Sequence, residues 1–93
     1  MSKEFKPNTI VLIRIAEAFY ENTRMKKTHI HSVSRIRWNS FVRYLIWLKS
    51  NNYLESIMHG KEELYQLTVT GREMFNMLLK FHEHLISHKT IIA

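Results

Sequence analysis

Three positions punctuate this chain of 93 residues: proline occurs only at Pro7, and glycine only at Gly60 and Gly71. Proline and glycine are the residues that most readily stop or turn regular structure. These three marks divide the chain unequally, and the long stretch from Pro7 to Gly60 holds neither residue between them. Gly60 suits a hairpin tip, and Gly71 falls at the start of a last helix.

The apolar spacing fills in the elements between these marks. Asn8 is placed to cap a first helix, in which Val11, Leu12, Ile15, Ala18 and Phe19 recur at helical intervals to about Tyr20. A short second helix over Thr28 to Val33 turns Ile30 and Val33 inward, and Ser34 ends its pattern. From Arg37 to about Asn51, Phe41, Tyr44, Leu45 and Leu48 form the inward seam of a third helix, with Asn39 and Arg43 pointing almost directly away from it. Asn51 and Asn52 can close that helix with a left-handed residue. Tyr53 to Ile57 and Glu63 to Leu67 read as two strands around a turn at Met58 to Glu62. A last helix over about 70–90 follows, with Thr70 and Glu73 as a capping box.

This order predicts an α+β, mostly α fold: a winged helix-turn-helix with three helices, a two-stranded β wing and a long C-terminal helix. At this length one domain, 1–93, with one core is expected. In the last helix Met74, Leu78, Phe81 and Leu85 make one apolar row, while Phe75, Leu79, His82 and Ile86 make another beside it. Two rows exceed what one contact needs. One can pack on the domain, and Met74, Leu78, Phe81 and Leu85 are the candidate dimerisation row against a second copy.

Charge points to a polyanionic partner. The formal net charge is +6, and all eight acids are glutamates, none of them between Glu21 and Glu55. Arg24, Lys26, Lys27, Arg35, Arg37, Arg43 and Lys49 fall inside that gap, so the positive field is local rather than spread over the chain. The chain has no cysteine, which excludes disulfides, thiolate ligands and a cysteine nucleophile. No apolar run approaches the roughly 20 residues that cross a bilayer, and the first residues lack an apolar signal core. A soluble, cytoplasmic and nucleoid-associated protein is expected.

The residues also resemble a known family. Lys27 to Ile30, Tyr44 and Leu45 with Leu48, Tyr53 and Leu54, and the segment from Tyr65 to Gly71 ahead of a long helix are similar to the archaeal winged-helix DNA-binding domains. They resemble most the ten-kilodalton archaeal type that dimerises through its last helix. The resemblance covers about residues 9–88, and its most specific part is Tyr65, Leu67, Thr68 and Gly71. It implies a homodimer paired through antiparallel final helices, each winged helix contacting duplex DNA. Two departures stand out: a shorter final helix ending in Ile91, Ile92 and Ala93, and the bulky, basic Arg37, Trp38 and Asn39 opening the third helix.

A helix that reads the major groove needs long donors on an exposed face near its N-terminal half, and Arg37, Asn39, Ser40 and Arg43 supply them. Arginine pairs bidentately with guanine and asparagine with adenine, which makes Arg43 and Asn39 the candidates for base contact. Lys26, Lys27 and Thr28 stand ahead of the second helix, and Arg35 in the turn after it; all four are candidates for phosphate. His59 and Lys61 at the wing tip are placed for the minor groove or flanking phosphate. Trp38 and Trp47 fall on the flanks of the inward seam, where packing is a better reading than base stacking.

No metal site, cofactor or small-molecule ligand is expected. His84 and His88 have zinc-compatible spacing, but no third ligand set accompanies them, and His82 to Ile86 fails the His-Glu-x-x-His pattern. No nucleophile with an adjacent base, carboxylate pair or phosphate-cradling loop suggests an enzyme. The expected partner is double-stranded DNA, bound by a homodimer as a transcriptional regulator or an architectural protein. The alternative is a winged-helix module that turns the same basic face to RNA or to an acidic protein.

Overall fold

The computed structural model describes residues 5–92, and side chains as far as Ile86. Its elements run α1 (Thr9–Glu21), β1 (Met25–Lys26), α2 (Lys27–Ser34), α3 (Trp38–Ser50), β2 (Leu54–His59), β3 (Glu62–Leu67) and α4 (Val69–Ile92). The side chains of His88, Ile91 and Ile92, and the whole of Ala93, lie outside the described residues.

Helix α1 starts where the Asn8 side chain accepts hydrogen bonds from the amides of Ile10 (2.8 Å) and Val11 (3.4 Å), satisfying donors that a helix start leaves orphaned. It buries Val11, Leu12, Ile15 and Phe19. Around them close Met25, Ile30 of α2, the α3 seam of Phe41, Tyr44, Leu45 and Leu48, and Leu54, Tyr65 and Phe75. Phe41 and Leu48 are fully enclosed, so the seam read from the spacing is the inner face of α3.

The sheet is larger than the expected two-stranded wing. Met25 and Lys26 pair with Tyr65 and Leu64, giving an antiparallel three-stranded order β1-β3-β2. Two residues carry no alternation, so nothing in the pattern marked them as a strand; burial of Met25 among polar neighbours is what pins β1 in place. The hairpin is also tighter than expected, since pairing continues to His59 opposite Glu62 and leaves only Gly60 and Lys61 as the turn. Gly60 takes φ +66°, the left-handed value that a two-residue hairpin asks of its first central residue.

Two backbone turns set the angle of α3. Arg35 closes α2 in the left-handed region at φ 57°. It is flanked by a chain of bonds: Arg14 Nη1 donates to the Ser34 carbonyl (3.1 Å), Ser34 Oγ donates to the His31 carbonyl (2.6 Å), and His31 Nε2 donates to the Ile36 carbonyl (2.9 Å). At the other end Asn52 is left-handed at φ 60°, the Tyr53 amide reaches the Leu48 carbonyl and the Asn52 amide the Lys49 carbonyl. That is a Schellman closure, as the paired asparagines suggested.

Helix α4 starts earlier than expected, and Thr70 is not its cap. The hydroxyl of Thr68 accepts the Gly71 amide (2.9 Å) and donates to the Asn52 carbonyl (2.6 Å), so Thr68 caps the helix and ties it to the end of α3. The anchoring carbonyl of Asn52 selects Thr68 over Thr70, which lies exposed inside the first turn. Among the described residues no helix is long and apolar enough to cross a membrane.

Candidate nucleic-acid interface

The outer face of α3 is built by elimination. Phe41, Tyr44, Leu45 and Leu48 point into the core, and Asn39, Ser40 and Arg43 are left exposed on the opposite side. Arg37 is the N-cap residue, its side chain makes no capping bond, and no acid stands in the first turn. Helix α2 begins the same way: Lys26 in the cap position makes no side-chain bond to it, and its first turn has no acid. Helix starts of this kind keep a partial positive charge and free amide donors.

Packing from the flanks steadies this face. Trp38 stands edge-on to His31 with centroids 5.0 Å apart and lies 5.5 Å from Phe41, while Trp47 lies against Phe5 and Tyr53. Trp47 is therefore a packing residue against the core, whereas Trp38 makes these ring contacts and is still 44% exposed. The Arg43 guanidinium lies over the Phe5 ring at 5.2 Å, a cation–π contact that holds the side chain beside the helix. The sequence carried no signal for this contact, because Phe5 precedes the first helix.

The seven cations of the acid-free segment do not form one surface. Lys26 pairs with Glu62 at 2.8 Å across the β1–β3 ladder, and the pair raises the lysine's pKa by hydrogen bond and charge. Arg24 Nε donates to Gln66 Oε1 (3.2 Å), and Gln66 Nε2 donates to Glu55 Oε2 (2.6 Å). Lys49 Nζ sits 5.7 Å from the Tyr65 ring. Arg35 lines a groove between α1, α2 and α4, together with Arg14, Glu17 and Lys80, to which no α3 residue contributes. Absence of acids between 22 and 54 thus hid neighbours that the sheet brings back from Glu55 and Glu62. Among the described residues no carboxylate pairs with Lys27, Arg37 or Arg43. Thr28 is exposed on the first turn of α2, and His59 and Lys61 are exposed at the wing tip.

Helix α4 divides its apolar rows by position along the axis rather than by face. Phe75 is buried, and Met74, Leu78 and Leu79 pack half-buried against the core. Farther along, Phe81 and Leu85 are 59% and 43% exposed, and Met77 is exposed beside them. Among the described residues no group of three metal-ligating side chains comes together.

Solved structures share this architecture. F93 from STIV, a winged-helix DNA-binding protein, superposes with a TM-score of 0.76 at 20% identity, over 89% of this chain and 98% of its own. Sso10a-2, a DNA-binding protein from Sulfolobus solfataricus, gives 0.63 at 18% identity, over 94% of this chain and 93% of its own. The MarR family transcriptional regulator SPO1453 from Silicibacter pomeroyi gives 0.69 at 16% identity over 89% of this chain, which spans only 58% of that regulator. The fold is thus a winged helix, and its neighbours include the archaeal type that the sequence resembles. Residues 57–85, less than half of the chain, match the sequence family described as the P53 tetramerisation motif. No curated protein sequence matches the chain.

Proposed function

We propose that this chain binds duplex DNA as a homodimer and acts in transcription regulation, with α3 in the major groove and the wing tip on flanking DNA. The observation that carries the reading is the outer face of α3, where Arg37, Asn39, Ser40 and Arg43 stand exposed on a rigid helix with no carboxylate paired to them. Arg43 and Asn39 are the proposed base readers. Lys27, Thr28 and the open start of α2 are the proposed phosphate contacts, joined by Lys61 and His59 from the wing. Lys26 and Arg35 take a smaller part, the first because Glu62 competes for it and the second because it lines the α1–α4 groove. The DNA-binding function of F93 and Sso10a-2 and the regulatory function of SPO1453 support this reading by fold.

The proposed dimer joins α4 to α4 through Phe81 and Leu85, continued by Met74 and Leu78 where the row meets the core. The match of residues 57–85 to a tetramerisation motif supports self-association through this segment.

A gel-shift comparison of duplex DNA, single-stranded DNA and structured RNA at fixed salt tests the reading. Duplex is expected to bind best, and log affinity to fall with log salt at a slope of roughly −4 to −5 per subunit if about five phosphates are neutralised. A preference for RNA, or binding indifferent to salt, overturns it.

A further inference from the structure

We infer that Ile46 is a base-reading residue that packs on the C5-methyl group of a thymine in the major groove. The inference deepens the duplex-DNA reading above and rests on it.

Isoleucine is among the residues most often buried, yet Ile46 is 60% exposed near the middle of α3. Lone apolar residues on a surface are common, so exposure by itself decides nothing. Placement does. Ile46 follows Asn39 by seven residues and Arg43 by three, and at about 100° per residue it falls within roughly 20° of Asn39 on the helix wheel. The buried seam of Phe41, Tyr44, Leu45 and Leu48 lies on the other side of the helix. Asn39, Arg43 and Ile46 are therefore one outward row, and whatever occupies the space in front of the two polar side chains also meets the isoleucine.

The chemistry of that row selects its occupant. Arg43 and Asn39 are the side chains that pair bidentately with guanine and adenine edges, and the face carries no acid to repel phosphate. In the major groove the base edges present hydrogen-bonding atoms at every pair, and one apolar group, the thymine methyl. A branched aliphatic side chain in this row has that methyl as its favourable contact, whereas cytosine in the same place would set an unpaired amino donor against it. Arg43 and Ile46 are about 4.5 Å apart along the helix axis, compared with about 3.4 Å between successive bases of a strand. With α3 lying along the groove, that separation places the two side chains to address neighbouring base pairs.

The test is selection of bound fragments from a pool of random-sequence duplex DNA by the full chain and by its Ile46→Ala variant. Ile46 belongs neither to the core cluster nor to the residues packed against it, so the variant is expected to keep close to the wild-type melting temperature. The wild type is expected to enrich sites with a fixed thymine within one or two base pairs of the position that depends on Arg43. Ile46→Ala should keep the remaining preferences and lose this one. Replacing that thymine by uracil in the selected duplex removes only the methyl group, and should weaken wild-type binding about fourfold, the size expected for one buried methylene-sized group, while leaving Ile46→Ala unchanged. Equal wild-type affinity for the two duplexes, a thymine preference that survives in Ile46→Ala, or no enriched sequence at all overturns the assignment of Ile46. Failure of the wild type to bind any duplex overturns the DNA reading beneath it as well.

Discussion

At Gly71 the backbone passes so close to another segment that no side chain fits. A Cβ there would lie 1.8 Å from the Tyr53 carbonyl oxygen, which itself accepts the Thr68 amide at 3.1 Å. Gly71→Ala must push α4 away from the end of α3, and a loss of about 3 kcal/mol, the upper part of the range for overpacking, is expected in urea denaturation. Gly60→Ala meets open space and only a left-handed φ, so about 1 kcal/mol is expected there. Equal losses would show that Gly71 matters for its backbone freedom rather than for the close approach. The sequence marked both glycines as breaks but gave no means of telling one kind from the other, because the carbonyl that crowds Gly71 comes from 18 residues earlier. His31 was similarly mute. Nothing in the spacing singles it out, and the structure makes it the brace of the turn before α3, with Nε2 on the Ile36 carbonyl and its ring against Trp38 and Phe41. His31→Ala is expected to cost about 1–3 kcal/mol, from one hydrogen bond and two aromatic contacts. It should also weaken binding to every DNA sequence alike in gel shifts, since it moves the whole of α3. A change confined to one base position would contradict a bracing role.

Elements were legible where a period ran long enough to be read. The seam of α3 and the inward set of α1 follow from spacing alone, because each repeats over about two turns. Strand β1 was hidden because two residues have no period, and the extent of the hairpin because pairing by backbone atoms does not depend on the polar side chains that made Met58 to Glu62 look like a turn. In α4 the two apolar rows were visible, but not where the helix leaves the core. That point falls just before Phe81: Phe81 and Leu85 are 59% and 43% exposed, and neither belongs to the core cluster that takes in Met74, Leu78 and Leu79. Phe81→Ser and Leu85→Ser together are therefore expected to halve the mass measured by sedimentation while leaving the far-ultraviolet spectrum of the domain intact. Met74→Ser and Leu78→Ser, in the same row but against the core, should lower the melting temperature instead. An unchanged mass for the first pair would remove α4 as the dimer contact. The contrast separates self-association from folding within a single helix.

Across the whole molecule, the charge pattern in the sequence and the charge pattern in space differ in a way that has a measurable consequence. An acid-free run from 22 to 54 suggested a continuous positive surface, but sheet pairing returns Glu62 to within 2.8 Å of Lys26 and links Arg24 through Gln66 to Glu55. No linear reading of charge could show this, since it depends on which strands become neighbours. The Lys26–Glu62 pair is exposed, so it adds little to stability; its weight falls on binding, where a phosphate must compete with a carboxylate for the same ammonium. The ammonium is charged at neutral pH, and because Glu62 raises the lysine's pKa, the lysine's own contribution to stability is present at neutral pH and lost as alkaline pH rises through that raised value. At pH 7 the pair is thus a fixed local neutralisation, and Glu62→Gln removes it without altering the lysine or the strand. The variant is expected to bind duplex DNA more tightly at low salt and to steepen the slope of log affinity against log salt by about one per subunit, the contribution of one more neutralised phosphate. Lys26→Gln, by contrast, should change the wild-type slope little, because Glu62 already occupies the lysine. If Glu62→Gln leaves the slope unchanged, Lys26 lies away from the DNA, and the field that draws the duplex comes from Lys27, Arg37, Arg43 and the wing alone.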